Sequence, residues 1–168
     1  MKQKAYYMEK IGLTNIGQVT MSKKVNKWIE DVINLYSEAK TIAIVGMADK
    51  RNVYAWLCEN PRKFEVTMYD YDPQRADDNV ITADVIFDDI ELTQDLIINY
   101  ACEKMWPLGK IYKGKEFILI GDNEHHNGDC NFIDSNKQLV EQNGITELWE
   151  FNEIERWKGT YFMVAGCN

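Results

Sequence analysis

Residues 41–46, Thr-Ile-Ala-Ile-Val-Gly, are apolar on both faces and stop at a glycine. A strand with one wet face alternates apolar with polar residues. A run with no polar face belongs at the centre of a parallel sheet that helices cover on each side. This single segment therefore asks for an α/β protein. The chain around it has 168 residues, of which 45% are hydrophobic, enough for one domain with a real core. Five Trp, nine Tyr and six Phe add large apolar surfaces that exclude intrinsic disorder.

The remaining pattern agrees with that architecture. From Ser22, residues Val25, Trp28, Ile29, Val32, Ile33 and Tyr36 recur at helical spacing, with Lys23, Lys24, Lys27, Glu30, Asp31 and Glu38 on the other face. This predicts an amphipathic helix of about 17 residues. The first twenty residues show no period and read as an arm or short irregular cap. Residues 52–60 fit a helix closed by Asn60 and Pro61. Strands are expected at 64–69, 79–85, 96–99 and 116–121. A polar helix is expected at 135–144, with Leu139 and Val140 facing inward and Gly144 as its C-cap. Two β-rich runs, 146–151 and 159–166, flank the polar stretch 152–158 and read as an antiparallel hairpin on the sheet edge. The expected fold is α/β, a doubly wound, mostly parallel sheet with a C-terminal antiparallel hairpin and helices on both faces.

Charge narrows the function. With 27 acidic and 19 basic residues the net charge is −8. Nucleic-acid affinity comes largely from neutralising phosphates with Lys and Arg, so nucleic acid is an unexpected partner. An anionic membrane surface is disfavoured for the same reason, and no apolar run approaches the ~20 residues of a bilayer span. No signal peptide is visible, and a soluble, cytoplasmic chain is expected. Cys58, Cys102, Cys130 and Cys167 form no CxxC pair and read as reduced thiols. His125 and His126 lie near Asp122, Glu124 and Asp129, which have metal-ligand chemistry. A polar, glycine-containing loop gives the same letters and is the preferred reading, with no metal.

In a doubly wound sheet, ligands sit at the carboxyl ends of the strands near the switch point. The first strand delivers Gly46-Met47-Ala48-Asp49 there, a tight turn with one glycine and neither GxGxxG nor a Walker lysine. The next strand ends in Asp70, an acid at the distance from Gly46 where ribose hydroxyls are held. A solvated turn through Asp70, Asp72 and Pro73 is the alternative. Asp84 could accept from an adenine amino group or cap the segment that follows. Trp106, Pro107 and Leu108 are candidates for an exposed apolar patch, although Trp106 reads more readily as a core aromatic.

The order strand–Gly46, strand–Asp70, strand–Asp84, a polar fourth strand end and a terminal hairpin resembles class I S-adenosylmethionine-dependent methyltransferases. Residues 95–105, DLIINYACEKM, are similar to the DLIVNTSCEHM segment of small phage-encoded methyltransferase-like proteins. Ile120 to Glu124 and Asp129 to Ser135 resemble the later QSNNY and HINCVDS segments of those proteins. Residues 161–166, YFMVAG, resemble their closing RFMxIG strand. The resemblance implies S-adenosylmethionine as small-molecule cofactor, with Gly46, Met47 and Asp49 at its methionine part, Asp70 at the ribose, and Asp84 with Val85 or Ile86 at the adenine. It implies Asn99, Cys102 and Glu103 at the methyl-transfer end, with Asn123 and Asn131 opposite. Glu103, Asn99 and Asn123 are the catalytic candidates, and Cys102 is read as wall. Three departures stand out: the glycine loop is reduced, Lys104 replaces a histidine, and Asp129 stands where a second histidine would be. The domain reading is 1–40 as an arm and helix packed on the domain, and 41–168 as a methyltransferase-like Rossmann domain. The methyl acceptor and the oligomeric state are left open. A degenerate Rossmann-like interaction module without cofactor is the alternative.

Overall fold

A computed structural model describes residues 14–46, 51–73, 79–125 and 128–168. The amphipathic stripe forms α1, Thr14–Tyr36. It begins eight residues before the expected start, because extending a nucleated helix is far easier than starting one. Val25, Trp28, Ile29, Val32 and Ile33 are buried as the spacing requires. Tyr36 is the exception: it is 41% exposed and stacks on Trp149 at 5.9 Å.

The strands follow as β1 (Thr41–Val45), β2 (Glu65–Asp70), β3 (Val80–Thr82), β4 (Leu96–Asn99), β5 (Glu116–Asp122), β6 (Glu147–Arg156) and β7 (Gly159–Cys167). The helices between them are α2 (Arg51–Glu59), α3 (Leu108–Ile111) and α4 (Asn136–Asn143). One seven-stranded sheet has the order β3-β2-β1-β4-β5-β7-β6. Its first five strands are parallel, and β7 runs antiparallel to both β5 and β6. This is the doubly wound α/β sheet with a terminal hairpin that the patterning predicts.

Alternation along β1 divides the core. Ile42 and Ile44 face α1 and α2, with Val53, Leu57, Met68, Ile98 and Ile118. Ala43 and Val45 face the other side, where Leu108 of α3 and Leu139 of α4 meet Tyr69, Phe117 and Leu119. That second face has no helix between β3 and β4. The connection supplies Val85 and Leu92 in its place. Ser135 caps α4 by accepting from the Gln138 N–H at 3.1 Å, and Gly144 closes it at φ +64°.

Three expectations are corrected. The strand expected at 79–85 pairs only over Val80–Thr82. Asp84 Oδ1 accepts from the Ile86 and Phe87 N–H groups and turns the chain away from the sheet. The first run of the hairpin, expected to end at 151, takes in most of the polar stretch 152–158: β6 runs on to Arg156, and the hairpin turns at Trp157 and Lys158. Its residues are polar because β6 is the sheet edge. Trp106 is 59% exposed, edge-on to Phe87, itself 76% exposed, while Leu108 is fully buried.

Candidate functional site

The switch point lies between β1 and β4, where the chain has gone to β2 and β3 on one side and returned on the other. Val45 is in register with Tyr69 of β2 and with Asn99 of β4. The next residues, Gly46, Asp70 and Tyr100, therefore emerge side by side. Gly46 donates its N–H to the Tyr69 carbonyl at 3.1 Å, and Tyr100 donates to the Val45 carbonyl at 3.2 Å. Gly46 has φ +67°, and a Cβ there would lie 2.8 Å from Ala101 Cβ. Glycine is required on both counts. Met47 and Asp49 lie outside the described residues.

Asp70 is 6% exposed and Asn99 is 1% exposed, unusual for polar groups that have no role in a core. Each shapes its own strand exit: Asp70 Oδ1 accepts from the Asp72 N–H and Asn99 Oδ1 from the Ala101 N–H, both at 2.9 Å. Asp84 Oδ1 spends its hydrogen bonds on the turn described above. Val85 is 5% exposed and belongs to the core, whereas Ile86 beside it is half-buried.

The one-turn 3-10 helix Cys102–Lys104 follows β4 and buries Cys102 and Glu103. The loop before α4 folds onto it: the Cys130 and Asn131 N–H groups both reach the Glu103 carbonyl at 3.0 Å. The Asn131 amide is committed to the Cys102 carbonyl and to a reciprocal pair with Gln142. Asn123 Oδ1 accepts from the Thr160 N–H at 2.7 Å and ties the end of β5 to the hairpin. Both asparagines thus hold loops in place.

Glu103 differs. It is 6% exposed, and its Oε2 atom has no hydrogen-bond partner. Burial, followed by the charges of Asp122 and Asp129, pushes its carboxyl up to about 7, against the pull of a backbone hydrogen bond and of Lys104. Burial and the Glu103 charge push the Cys102 thiol well up, so it is no thiolate nucleophile.

Sequence reasoning missed the far wall. Tyr161, in register with Asp122, carries the Arg156 guanidinium over its ring at 3.7 Å. That guanidinium pairs with Asp122 at 3.3 Å and Glu124 at 3.6 Å. Burial raises the Tyr161 hydroxyl above its ordinary range, and the Asp122, Glu103 and Glu124 charges add to the effect against Arg156. The sequence carried no signal for it: the run expected at 146–151 stops short of Arg156, and only the extension of β6 to Arg156 brings that residue back across the end of β5. His125 is exposed and edge-on to Phe132 at 4.8 Å, and His126 is outside the described residues. Among the described residues, no three His, Cys, Asp or Glu side chains converge on a metal position. No described helix is long and apolar enough to cross a membrane.

No family model and no curated protein sequence matches the chain. Solved structures do. A Thermoplasma acidophilum protein provisionally described as a methyltransferase superposes with a TM-score of 0.50 at 14% identity, covering 81% of this chain and 71% of its own. PigF in complex with SAH also superposes at 0.50, with 11% identity, covering 95% of this chain and 62% of PigF. At such identities the likeness is one of fold, a Rossmann-like sheet with helices on both faces, and the chain spans less than two thirds of PigF.

Proposed function

We propose that the chain is an S-adenosylmethionine-dependent methyltransferase, related to the small phage-encoded methyltransferase-like proteins whose strand-end segments it resembles. The observation that carries this reading is the row at the switch point. Asp70, a nearly buried carboxylate, ends β2 beside the left-handed Gly46, where open α/β sheets hold their ligands. These residues fit the cofactor. Gly46 brings bare backbone to its methionine part, and the Asp70 carboxylate accepts from two ribose hydroxyls. The resemblance assigns Met47 and Asp49, which lie outside the described residues, to the same methionine part. Asp84 and Ile86 border the adenine, with Val85 behind them as core. In this reading residues 41–168 are the methyltransferase-like domain and 1–40 are an arm and helix added to it.

When bound, S-adenosylmethionine supplies an electrophilic methyl group on a sulfonium. The chain's own work is alignment and proton transfer. Asn99 fixes the exit of β4, so the backbone from Tyr100 to Glu103 has one path past Gly46. Glu103, with a carboxyl near 7, accepts a proton from an acceptor's oxygen or nitrogen at neutral pH.

The test is a calorimetric titration with S-adenosylhomocysteine, repeated on Asp70→Ala. The wild type should bind and the variant should lose binding at least tenfold. Ligand at 100 times its dissociation constant should stabilise the fold by about 2.7 kcal/mol. Absence of any heat or thermal shift at millimolar ligand would remove the reading. It would favour an interaction module, for which the exposed Phe87–Trp106 pair is the supporting observation.

A further inference from the structure

β6 is the outer strand of the sheet, and one of its backbone edges has no strand beside it. Thr160 of β7 turns its backbone to the end of β5, donating to Asn123 Oδ1 and accepting from the Asn123 N–H. Alternation then turns Tyr161 and its partner Ile154 toward each other, and leaves Glu153 and Glu155 facing outward. Glu153 agrees, since its N–H goes to the side chain of neighbouring Asn152 at 2.8 Å. Side chains alternate as well. Ile154 packs on the α1 side of the sheet, whereas Glu153 reaches Asn136 of α4 on the other side, the side Glu155 shares.

An open groove of about 710 Å³ runs between this edge and α1. One wall is residues 152–155 of β6. The other is the α1 stripe Lys24, Lys27, Trp28 and Asp31, with Lys23 beside it. Trp28, 7% exposed, and half-buried Ile154 supply the apolar part, and all three lysines are exposed. Lys27 pairs with Asp31, and among the described residues no acid pairs with Lys23 or Lys24. The helix wall is therefore cationic, and the strand wall offers backbone.

We propose that this groove docks an extended acidic segment of a partner protein, which adds to β6 as one more strand. The two walls match in length. From Lys23 to Asp31 α1 rises about 12 Å, and residues 152–155 span about 10 Å, room for about four residues of extended chain. Every second side chain of an added strand faces α1, so acids at alternate positions meet Lys23, Lys24 and Lys27. The side chains between them fall on the face of Phe151, 60% exposed, which suits apolar residues. Other occupants fit less well. Residues 1–13 carry Lys2, Lys4 and Lys10 against Glu9 alone and would meet the lysines with like charge. A second copy's β6 would set Glu147, Glu150, Glu153 and Glu155 beside the same four glutamates. A nucleic-acid strand would find cations on one wall only. β6 lies three strands from β4 in the sheet order, and the proposal does not rest on cofactor binding.

The full-length chain is titrated calorimetrically with the hexapeptide acetyl-Glu-Val-Glu-Val-Glu-Val-amide. Two controls are its Lys-Val counterpart and the same Glu-Val peptide N-methylated at every valine. With its glutamates toward α1, an antiparallel strand turns the valine N–H groups to β6, so methylation removes the pairing and keeps the charge. The Glu-Val peptide should bind, and each control should bind roughly tenfold more weakly or worse. Lys23→Gln, Lys24→Gln and Lys27→Gln together should weaken the Glu-Val peptide about tenfold, as the loss of three exposed ion pairs would. The methylated peptide tests the wild type alone, so the proposal stays exposed even where the variant misfolds. Equal affinity for the Lys-Val peptide, indifference to N-methylation, or no heat at millimolar peptide overturns the proposal. Tighter binding of oligothymidylate through the same lysines would give the groove to nucleic acid and overturns it too. So does a dimer in sedimentation that the Glu-Val peptide fails to disperse, which would give the edge to a second copy.

Discussion

A carboxyl held near 7 keeps a proton in the folded chain that the unfolded chain has released, and this fixes the sign of Glu103's effect on stability. Its ordinary value is 4.5, so its relative contribution is fully present below about pH 4.5 and is lost as pH rises through 7. Above that, the buried charge costs about 3 kcal/mol, from 2.5 pH units at roughly 1.4 kcal/mol each. Glu103→Gln keeps the shape and removes the charge. Its stability relative to wild type, measured by urea unfolding, should therefore climb by about 2–3 kcal/mol from pH 5 to pH 8. A pH-independent difference would show that Glu103 is not held near 7. Gly46 offers a second test at this scale. Alanine there meets both the left-handed backbone and Ala101 Cβ at 2.8 Å. Gly46→Ala should lower stability by about 2–4 kcal/mol, seen as a lower urea midpoint at unchanged slope.

At the scale of elements, α3 and α4 are joined through backbone. Gly109 donates to Asn143 Oδ1 at 3.0 Å, and a Cβ on Gly109 would fall 2.1 Å from the Asn143 carbonyl oxygen. Asn168 closes the junction by donating to the carbonyls of Tyr112 and Gly109 at 2.8 and 3.1 Å. Backbone cannot swing aside as a side chain can, so Gly109→Ala should cost 3 kcal/mol or more, at or beyond the upper end of the ~1–3 kcal/mol typical of overpacking. Gly114→Ala is the control: φ is +66° and nothing lies near, so only conformational strain of about 1–2 kcal/mol applies. Equal thermal shifts for the two variants would refute the contact. The same scale shows what was legible in the sequence. β1, β4 and β5 were readable because strands buried on both faces are continuous apolar runs. β6 was only half readable, because an edge strand keeps charges such as Glu153 and Glu155 where a central strand cannot. α3, four residues long, is too short to show a helical period.

For the molecule as a whole, the order β3-β2-β1-β4-β5-β7-β6 decides which residues meet, and only part of that meeting is written in sequence spacing. Gly46 and Asp70 could be singled out because they end consecutive strands at a known separation. Glu103 was visible from its neighbours in the chain. Its low exposure and unpaired Oε2 follow from residues 128–131 folding onto it, which no local pattern encodes. Tyr161 and Arg156 join the site only because the hairpin doubles back beside β5. The topology makes a prediction that no single residue could. The centre of the sheet, β1, β4 and β5, is covered on both faces and should exchange its amide hydrogens slowest, while β6 should exchange early. S-adenosylhomocysteine at saturation should slow exchange at Gly46 and in residues 70–72 and 99–103, and leave 150–158 in the hairpin unchanged, as followed by mass spectrometry. Protection appearing instead along β6, with none beside Gly46, would move the ligand to the opposite end of the strand order. It would separate this fold from the function proposed for it.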